Sequence, residues 1–166
     1  DINNGNFFIN PENGDVLICD NDNVSPFGTN LGIMGKQRWM APEIVMGKND
    51  PDKNSDRFSL AVVLFRLLFI NHPLEGRYST PPCMTKEAEQ KYYGSAPIFV
   101  YDPSTTENRP IPGTDHNLKL FWNVYPDYVK EAFIRAFSHD VMMKQKPRIL
   151  EKEWLGIFIR PVSVTG

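Results

Sequence analysis

Carboxylate and amide side chains flank two short apolar runs at the beginning of the sequence. Asp1 and Asn6 stand before the first run, and Asp20 follows the second. If the two runs pair as a hairpin, Asn6 and Asp20 come together at one edge. Carboxylate and amide oxygens suit Mg²⁺, which often completes its coordination with substrate phosphates. Asn and Asp are also common turn formers at strand ends, so composition alone favours a turn.

The elements that would position these side chains are a hairpin and a long loop. Residues 6–10 (NFFIN) and 15–19 (DVLIC) are strand candidates, and the turn formers Pro, Asn and Gly lie between them in residues 11–14. Residues 20–36 are rich in Asn, Asp, Gly and Ser, which is typical of a loop. A loop of that length is usually functional or disordered.

A buried central helix is expected over residues 56–70. From residue 58 onward its apolar character is interrupted only at Ser59 and Arg66, so a helix there would have no solvent face. The alternative is a membrane span, but spanning a bilayer takes about 20 apolar residues and this run is shorter. We therefore expect the helix to lie at the centre of a globular domain.

The remaining sequence divides into an irregular insertion and a helical C-terminal part. Residues 75–116 are rich in proline, with one possible short helix at 85–93 and a short strand at 98–101. Residues 117–166 are expected to form helices. Pro126 opens one of them, in which apolar residues recur at helical spacing. These residues are Val129, Ala132, Phe133, Ala136 and Phe137. A last helix is expected at 149–158, with Leu150, Trp154, Leu155 and Phe158 on one stripe.

Composition limits the class of protein. With 166 residues and 41% hydrophobic content, the chain can bury the core of one domain, residues 1–166. Its net charge of −2 gives no basic surface for nucleic acid. Two cysteines without a Cys-x-x-Cys string favour a reduced, cytoplasmic protein without structural zinc. No leader is visible before Asp1, and the sequence resembles a piece of a longer chain.

Five elements then follow one another in a characteristic order. They are Asp1-x-x-x-x-Asn6, Asp20, GKQRWMAPE at 35–43, DRFSL at 56–60, and Arg148 with Glu153-Trp154 behind it. This order resembles the C-terminal lobe of a eukaryotic-type Ser/Thr protein kinase, in a bacterial-looking form. That family has H-R-D-x-x-x-x-N, D-F-G and A-P-E in its catalytic loop, metal loop and activation segment. In the present chain these three span residues 1–43.

The resemblance implies a role for each matched residue. Asp1 would accept the proton of a Ser or Thr hydroxyl on a protein substrate, while Asn6 and Asp20 would bind Mg²⁺ and, through it, ATP. Glu43 and Arg148 would form a buried ion pair that fixes the activation segment. Asp56 would accept backbone N–H groups of the catalytic loop, or it would simply be the N-terminal cap of its helix.

The sequence departs from the family pattern at the metal loop and in the catalytic loop. Asp20-Asn21-Asp22 replaces D-F-G. Asn3 stands where many members have a lysine that meets the transferring phosphate, and Lys36 stands where they have a threonine close to the catalytic Asp. One hypothesis is that Lys36 is a catalytic residue that supplies the charge missing at Asn3. A solvated lysine is the alternative.

The N-terminal lobe of a kinase has no counterpart in the sequence, because the Gly-rich loop and the V-A-I-K lysine are missing. The chain alone is therefore expected to be inactive, with the missing lobe as a partner in the parent protein. A pseudokinase-like binding or regulatory module is the main alternative, favoured by Asn3 and by the altered metal loop. A small-molecule phosphotransferase is a third, although such enzymes generally lack A-P-E. The sequence does not decide whether Ser25 or Thr29 is phosphorylated.

Overall fold

The structure is a computed structural model that describes residues 2–3, 5–19, 35–144 and 146–160. Within these residues the protein is mostly helical and contains one two-stranded antiparallel sheet. The expectation of a mainly α protein with a small β-hairpin is confirmed. The helices and strands are β1 (Phe7–Ile9), β2 (Val16–Ile18), a 3₁₀ helix (Gln37–Trp39), α1 (Pro42–Val45), α2 (Lys53–Phe69), α3 (Lys86–Gln90), a π-helix (Lys91–Ser95), α4 (His116–Val124), α5 (Asp127–Ala136), α6 (His139–Met142) and α7 (Glu151–Phe158).

The hairpin forms where the two apolar runs predicted it. β1 and β2 pair antiparallel, with Phe8 opposite Leu17. The turn closes through Gly14, whose φ of 76° is a conformation that glycine adopts without steric cost. The Gly14 N–H donates to the carbonyl of Asn10 at 2.8 Å, which stabilises the turn.

The apolar side chains of the hairpin are exposed. Phe8, Ile9, Val16, Leu17 and Ile18 all retain half or more of their accessible surface. Several of them line a shallow groove together with Asn10 and Asp15. A two-stranded hairpin is marginally stable by itself, and an exposed apolar patch is typical of an interaction surface.

The central helix α2 begins earlier than the sequence predicted. Its N-terminal cap is Asp52, whose carboxylate accepts the Ser55 N–H at 2.7 Å, while the Ser55 hydroxyl accepts the Asp52 N–H at 2.8 Å. This is a capping box. The interpretation of Asp56 as the cap is therefore wrong, since Asp56 lies inside the helix. The helix ends at Phe69, and its C-terminal cap Ile70 has a left-handed φ of 53°.

Helix α2 supplies the centre of the core, as expected. The Phe65 ring lies 5.2 Å from Phe133 and 5.6 Å from Phe99, measured between ring centroids and in edge-to-face geometry. Such pairs add to the free energy gained from burial alone. The helix does keep a narrow solvent face at Leu67, contrary to the expectation of complete burial.

Among the described residues, no helix combines the length and apolar character needed to cross a membrane.

The segment 75–116 is irregular, as predicted, but it is packed into the core. Thr85 caps α3, which continues directly into the π-helix, so the predicted short helix is present. The strand predicted at 98–101 is wrong. Residues 98–99 have no regular secondary structure and 100–101 form a turn, with Phe99 and Val100 buried. One backbone bond runs from the Val100 N–H to the Pro73 carbonyl at 2.9 Å. The apolar pattern there reflects burial and not a strand ladder.

A single buried side chain, Asn108, organises this irregular segment. Its amide nitrogen donates to the carbonyls of Leu74 at 2.9 Å and Ile98 at 2.6 Å, and its amide oxygen accepts the Tyr78 N–H at 3.1 Å. Gly76 passes so close that a Cβ there would lie 2.2 Å from the Asn108 carbonyl oxygen. Only glycine leaves room for this approach.

The C-terminal part is helical, as predicted. Pro126 is the cap of α5 and α5 itself begins at Asp127, while the last helix begins at Glu151. The predicted stripe on that helix is wrong at Leu155, which is exposed, whereas Trp154 is buried. Adjacent positions of a helix point about 100° apart, so one stripe cannot hold both.

Candidate functional site

Hydrogen bonds that Asn3 accepts from Gly5 and Asn6 hold the candidate metal ligand Asn6. The Asn6 N–H donates to the Asn3 carbonyl at 3.1 Å, and the Gly5 N–H donates to the Asn3 side-chain oxygen at 2.9 Å. Asn3 and Asn6 are both buried. The Cys19 N–H donates to the Asn6 carbonyl at 2.9 Å, so the end of the hairpin lies directly beside this turn.

Several predicted site residues lie outside the described residues. These are Asp1, Asp20, Asn21, Asp22, Ser25 and Thr29. The structure therefore does not test whether Asp1 and Asp20 meet Asn6. Within the described ranges, no group of three His, Cys, Asp or Glu side chains could hold a metal ion.

The structure does bring Lys36 and Asn3 together. The Lys36 ammonium nitrogen lies 3.4 Å from the Asn3 amide oxygen, the same oxygen that accepts the Gly5 N–H. Lys36 also precedes the 3₁₀ helix, and its carbonyl accepts the Trp39 N–H at 2.9 Å. Two residues 33 positions apart in the sequence therefore share one polar contact.

The structure also brings Glu43 and Arg148 together, in a buried bidentate ion pair. Arg148 Nη1 donates to Glu43 Oε1 at 2.9 Å and Nη2 donates to Oε2 at 2.7 Å. Glu43 lies on α1 and Arg148 lies just before α7, 105 positions later. Planar two-point pairing of this kind gives both strength and orientation.

The surroundings of this pair compensate for much of its burial. Arg148 Nη1 also donates to the Asn54 carbonyl at 2.9 Å, and its guanidinium lies 5.4 Å from the Phe58 ring centroid. Lys144 Nζ lies 3.3 Å from Glu43 Oε1. Burial alone would raise the pKa of Glu43, but the hydrogen bonds and charge of Arg148 outweigh it and hold that pKa below its usual value. The carboxylate is therefore ionised at neutral pH.

Asp56 lies in the first turn of α2, four positions after the capping residue Asp52. Partial desolvation, together with the nearby Asp52 carboxylate, raises the pKa of Asp56. The expected role in holding the catalytic loop stays a prediction.

A second set of contacts, centred on the buried His72, was missed at the sequence level. Its Nδ1 accepts the Leu74 N–H at 3.1 Å, so Nε2 carries the proton and donates to the Arg38 carbonyl at 2.8 Å. Burial lowers the pKa of His72 to about 4. The ring is therefore neutral at physiological pH and acts as a fixed link between residues 38 and 74. The one signal was a histidine two positions after the end of an apolar run.

The Arg38 side chain also joins a polar cluster. It lies 3.2 Å from Glu75, measured from Nη1 to Oε1, and the hydroxyl of the buried Tyr93 donates to the same carboxylate at 2.8 Å. Burial and the Glu75 charge raise the pKa of Tyr93. Helix α2 contributes the Ser59 hydroxyl, which donates to the Trp39 carbonyl at 2.8 Å. The segment 36–43 is thus fixed at several consecutive points.

A scan against protein-family models and searches of curated proteins and of solved structures found nothing that matches this chain. The functional argument therefore depends on the residues and their contacts.

Proposed function

We propose that this chain is the larger lobe of a protein kinase that transfers the γ-phosphate of ATP to a Ser or Thr hydroxyl of a protein substrate. The observation that carries the proposal is the buried pair of Glu43 and Arg148. The kinase resemblance requires this pair between the A-P-E string and the C-terminal helices. Nothing local in the sequence links two side chains 105 positions apart.

The energetics of the pair support a positional role. A buried ion pair adds little net stability compared with apolar residues of similar volume, because both ions must be desolvated. Its geometry does fix the orientation of α1. Arg148 binds Glu43 on α1 and also donates to the Asn54 carbonyl at the start of α2, so it links the two helices. Orientation of the preceding segment is what a platform for a peptide substrate needs.

The proposed chemistry is a single phosphoryl transfer. The substrate hydroxyl oxygen forms a bond to the γ-phosphorus, the bond from that phosphorus to the bridging oxygen breaks, and ADP leaves with the electron pair. Asp1 accepts the hydroxyl proton. Asn6 and Asp20 would hold Mg²⁺, which when bound neutralises phosphate charge. The buried Asn6 amide beside the hairpin end is consistent with an oxygen ligand there.

The exposed hairpin supports an N-terminal lobe as partner. Most of its apolar side chains retain half or more of their accessible surface in the part of the chain that the structure describes. In a kinase, ATP is bound between two lobes, so the chain alone is expected to be inactive. The proposed setting is the cytoplasm, with neither nucleic acid nor membrane as partner.

The test compares the longer polypeptide that includes an N-terminal lobe with its Asp1→Asn and Asp20→Asn variants. Transfer of labelled γ-phosphate to a protein substrate should fall at least a hundredfold in both variants. Asp50→Asn, at an exposed carboxylate, is the matched control and should keep full activity. Unchanged transfer in the Asp1 and Asp20 variants would overturn the assignment.

A pseudokinase-like binding module is the second candidate. The observation that favours it is the neutral amide of Asn3 at a position where the family has a lysine. Calorimetry with Mg²⁺ and ATP separates the two, because nucleotide binding without transfer supports the module and transfer excludes it.

A further inference from the structure

We infer that Lys36 is a further catalytic residue, whose ammonium group binds the phosphoryl group during transfer. This inference rests on the proposed kinase function. The family pattern has a lysine in the catalytic loop and a threonine in the activation segment, whereas this chain has Asn3 and Lys36. The positive charge therefore lies on Lys36, in the activation segment, and not in the catalytic loop. The structure places the Lys36 and Asn3 side chains in contact at 3.4 Å.

Among the described residues, no carboxylate forms an ion pair with Lys36. In the part of the chain that the structure describes, its ammonium group has one polar partner, the neutral amide oxygen of Asn3. An ammonium group has three N–H donors, so two remain for an anion. Lys144 differs in this respect, since its Nζ lies 3.3 Å from the Glu43 carboxylate.

The Asn3 side chain holds the ammonium group next to the candidate Mg²⁺ ligand. Asn3 is 1% exposed and its amide oxygen also accepts the Gly5 N–H, so its orientation is fixed. Its carbonyl accepts the Asn6 N–H, so the anchor of Lys36 is hydrogen-bonded directly to Asn6. A Cβ at Gly5 would lie 3.1 Å from the Asn3 amide oxygen and 3.6 Å from Lys36 Nζ, so glycine keeps this space open.

A cation at this place would act on the charge of the transferring phosphate. The γ-phosphoryl oxygens carry negative charge through the transition state, and a fixed ammonium group that donates two hydrogen bonds stabilises that charge. Lys36 keeps its own proton throughout. Losing one fixed donor of this kind typically lowers kcat by a factor of about 10²–10³.

The test uses the longer polypeptide with its N-terminal lobe and the variants Lys36→Met, Lys36→Arg and the double variant Asn3→Lys with Lys36→Thr. Lys36→Met should lower kcat about a hundredfold while changing the KM for ATP by only a few fold. Lys36→Arg should retain more activity than Lys36→Met. The double variant returns the cation to the catalytic loop and should recover activity relative to Lys36→Met. Lys152→Met removes an exposed lysine on α7 and should have no effect.

A binding measurement makes the result independent of turnover. Calorimetry should show that Lys36→Met weakens binding of Mg²⁺–ATP by the same few fold as the KM and leaves binding of Mg²⁺–ADP unchanged, because only ATP has the γ-phosphate. If Lys36→Met has the same kcat and the same ATP affinity as an active wild type, this inference is overturned and the proposed function remains. Wild-type protein that neither binds nor uses ATP would overturn both.

Discussion

Protonation of His72 should make the stability of this protein fall steeply between pH 6.5 and pH 4. The ring is fully buried, and its Nδ1 accepts the Leu74 N–H. A second proton would have to be placed on Nδ1, where it would face another N–H donor. Burial accordingly lowers the pKa of His72 from 6.5 in the unfolded chain to about 4 in the folded one.

The sign and size of the effect follow from linkage between protonation and folding. Between pH 6.5 and about 4 the unfolded chain binds a proton at His72 and the folded chain does not. The free energy of unfolding therefore falls as the pH falls through this window. A pKa difference of one unit corresponds to about 1.4 kcal/mol, so the loss is about 2 kcal/mol at pH 5 and about 3 kcal/mol at pH 4 and below.

Urea unfolding of the 166-residue chain at pH 4.5 to 8, followed by circular dichroism, measures this dependence. His72→Gln removes the titrating group and keeps an N–H that can reach the Arg38 carbonyl, while His139→Gln is the matched control at an exposed histidine. Between pH 7.5 and pH 5, the stability difference between wild type and His72→Gln should shrink by about 2 kcal/mol. Carboxylates contribute equally to both proteins and cancel.

Equal pH slopes in wild type and His72→Gln would refute this reasoning. A direct check is the NMR titration of the histidine rings in the wild-type chain. The His72 resonances should not move between pH 8 and pH 5. A His72 ring that titrates near pH 6.5 would show that its site is hydrated.

Two further predictions concern buried polar contacts. Arg148→Met should lower the free energy of unfolding by about 3–5 kcal/mol, because it leaves the Glu43 carboxylate buried with only Lys144 nearby. The double variant with Glu43→Met should recover much of this loss, and Arg135→Met, which breaks a surface pair with Glu153, should cost about 1 kcal/mol or less in the same urea titration. Asn108→Ala should cost about 2 kcal/mol or more, because it leaves the buried Leu74 and Ile98 carbonyls without their donor, and it should speed hydrogen exchange at the Tyr78 amide. Asn123→Ala, on the exposed side of α4, is its control, and equal exchange rates in both variants would contradict the role given to Asn108.

The elements that the sequence predicts well are those whose signals are local. The hairpin depends on turn formers between two short apolar runs, and α2 depends on an apolar run too long for a strand. The start of α2 was misplaced because Asp52 and Ser55 make the cap within a polar stretch that contains several possible caps. The strand at 98–101 was wrong because Asn108, ten positions from Ile98, fixes that backbone in an irregular conformation.

The candidate site shows the same difference between contacts that the sequence predicts and contacts that it does not. Glu43 and Arg148 could be paired from the order of motifs, although they are distant in the sequence. The contacts of Arg38 could not be predicted, because Glu75 and His72 lie more than 30 positions away and follow no periodic pattern. Burial of His72 also depends on the packed segment 75–116, whose fold has no local sequence signal.

These contacts together explain how Lys36 could be held ready for an anion. The backbone of residues 36–43 is fixed at Arg38 by His72, at Trp39 by Ser59, and near its end by the ion pair of Glu43. The carbonyl of Lys36 accepts the Trp39 N–H, so the backbone that carries the ammonium group is fixed as well. A group that is already in place loses little conformational freedom when its ligand binds. If Lys36 acts as proposed, His72 is a positioning residue for it, and replacing His72 should reduce the proposed catalytic effect of Lys36 without any contact between the two side chains.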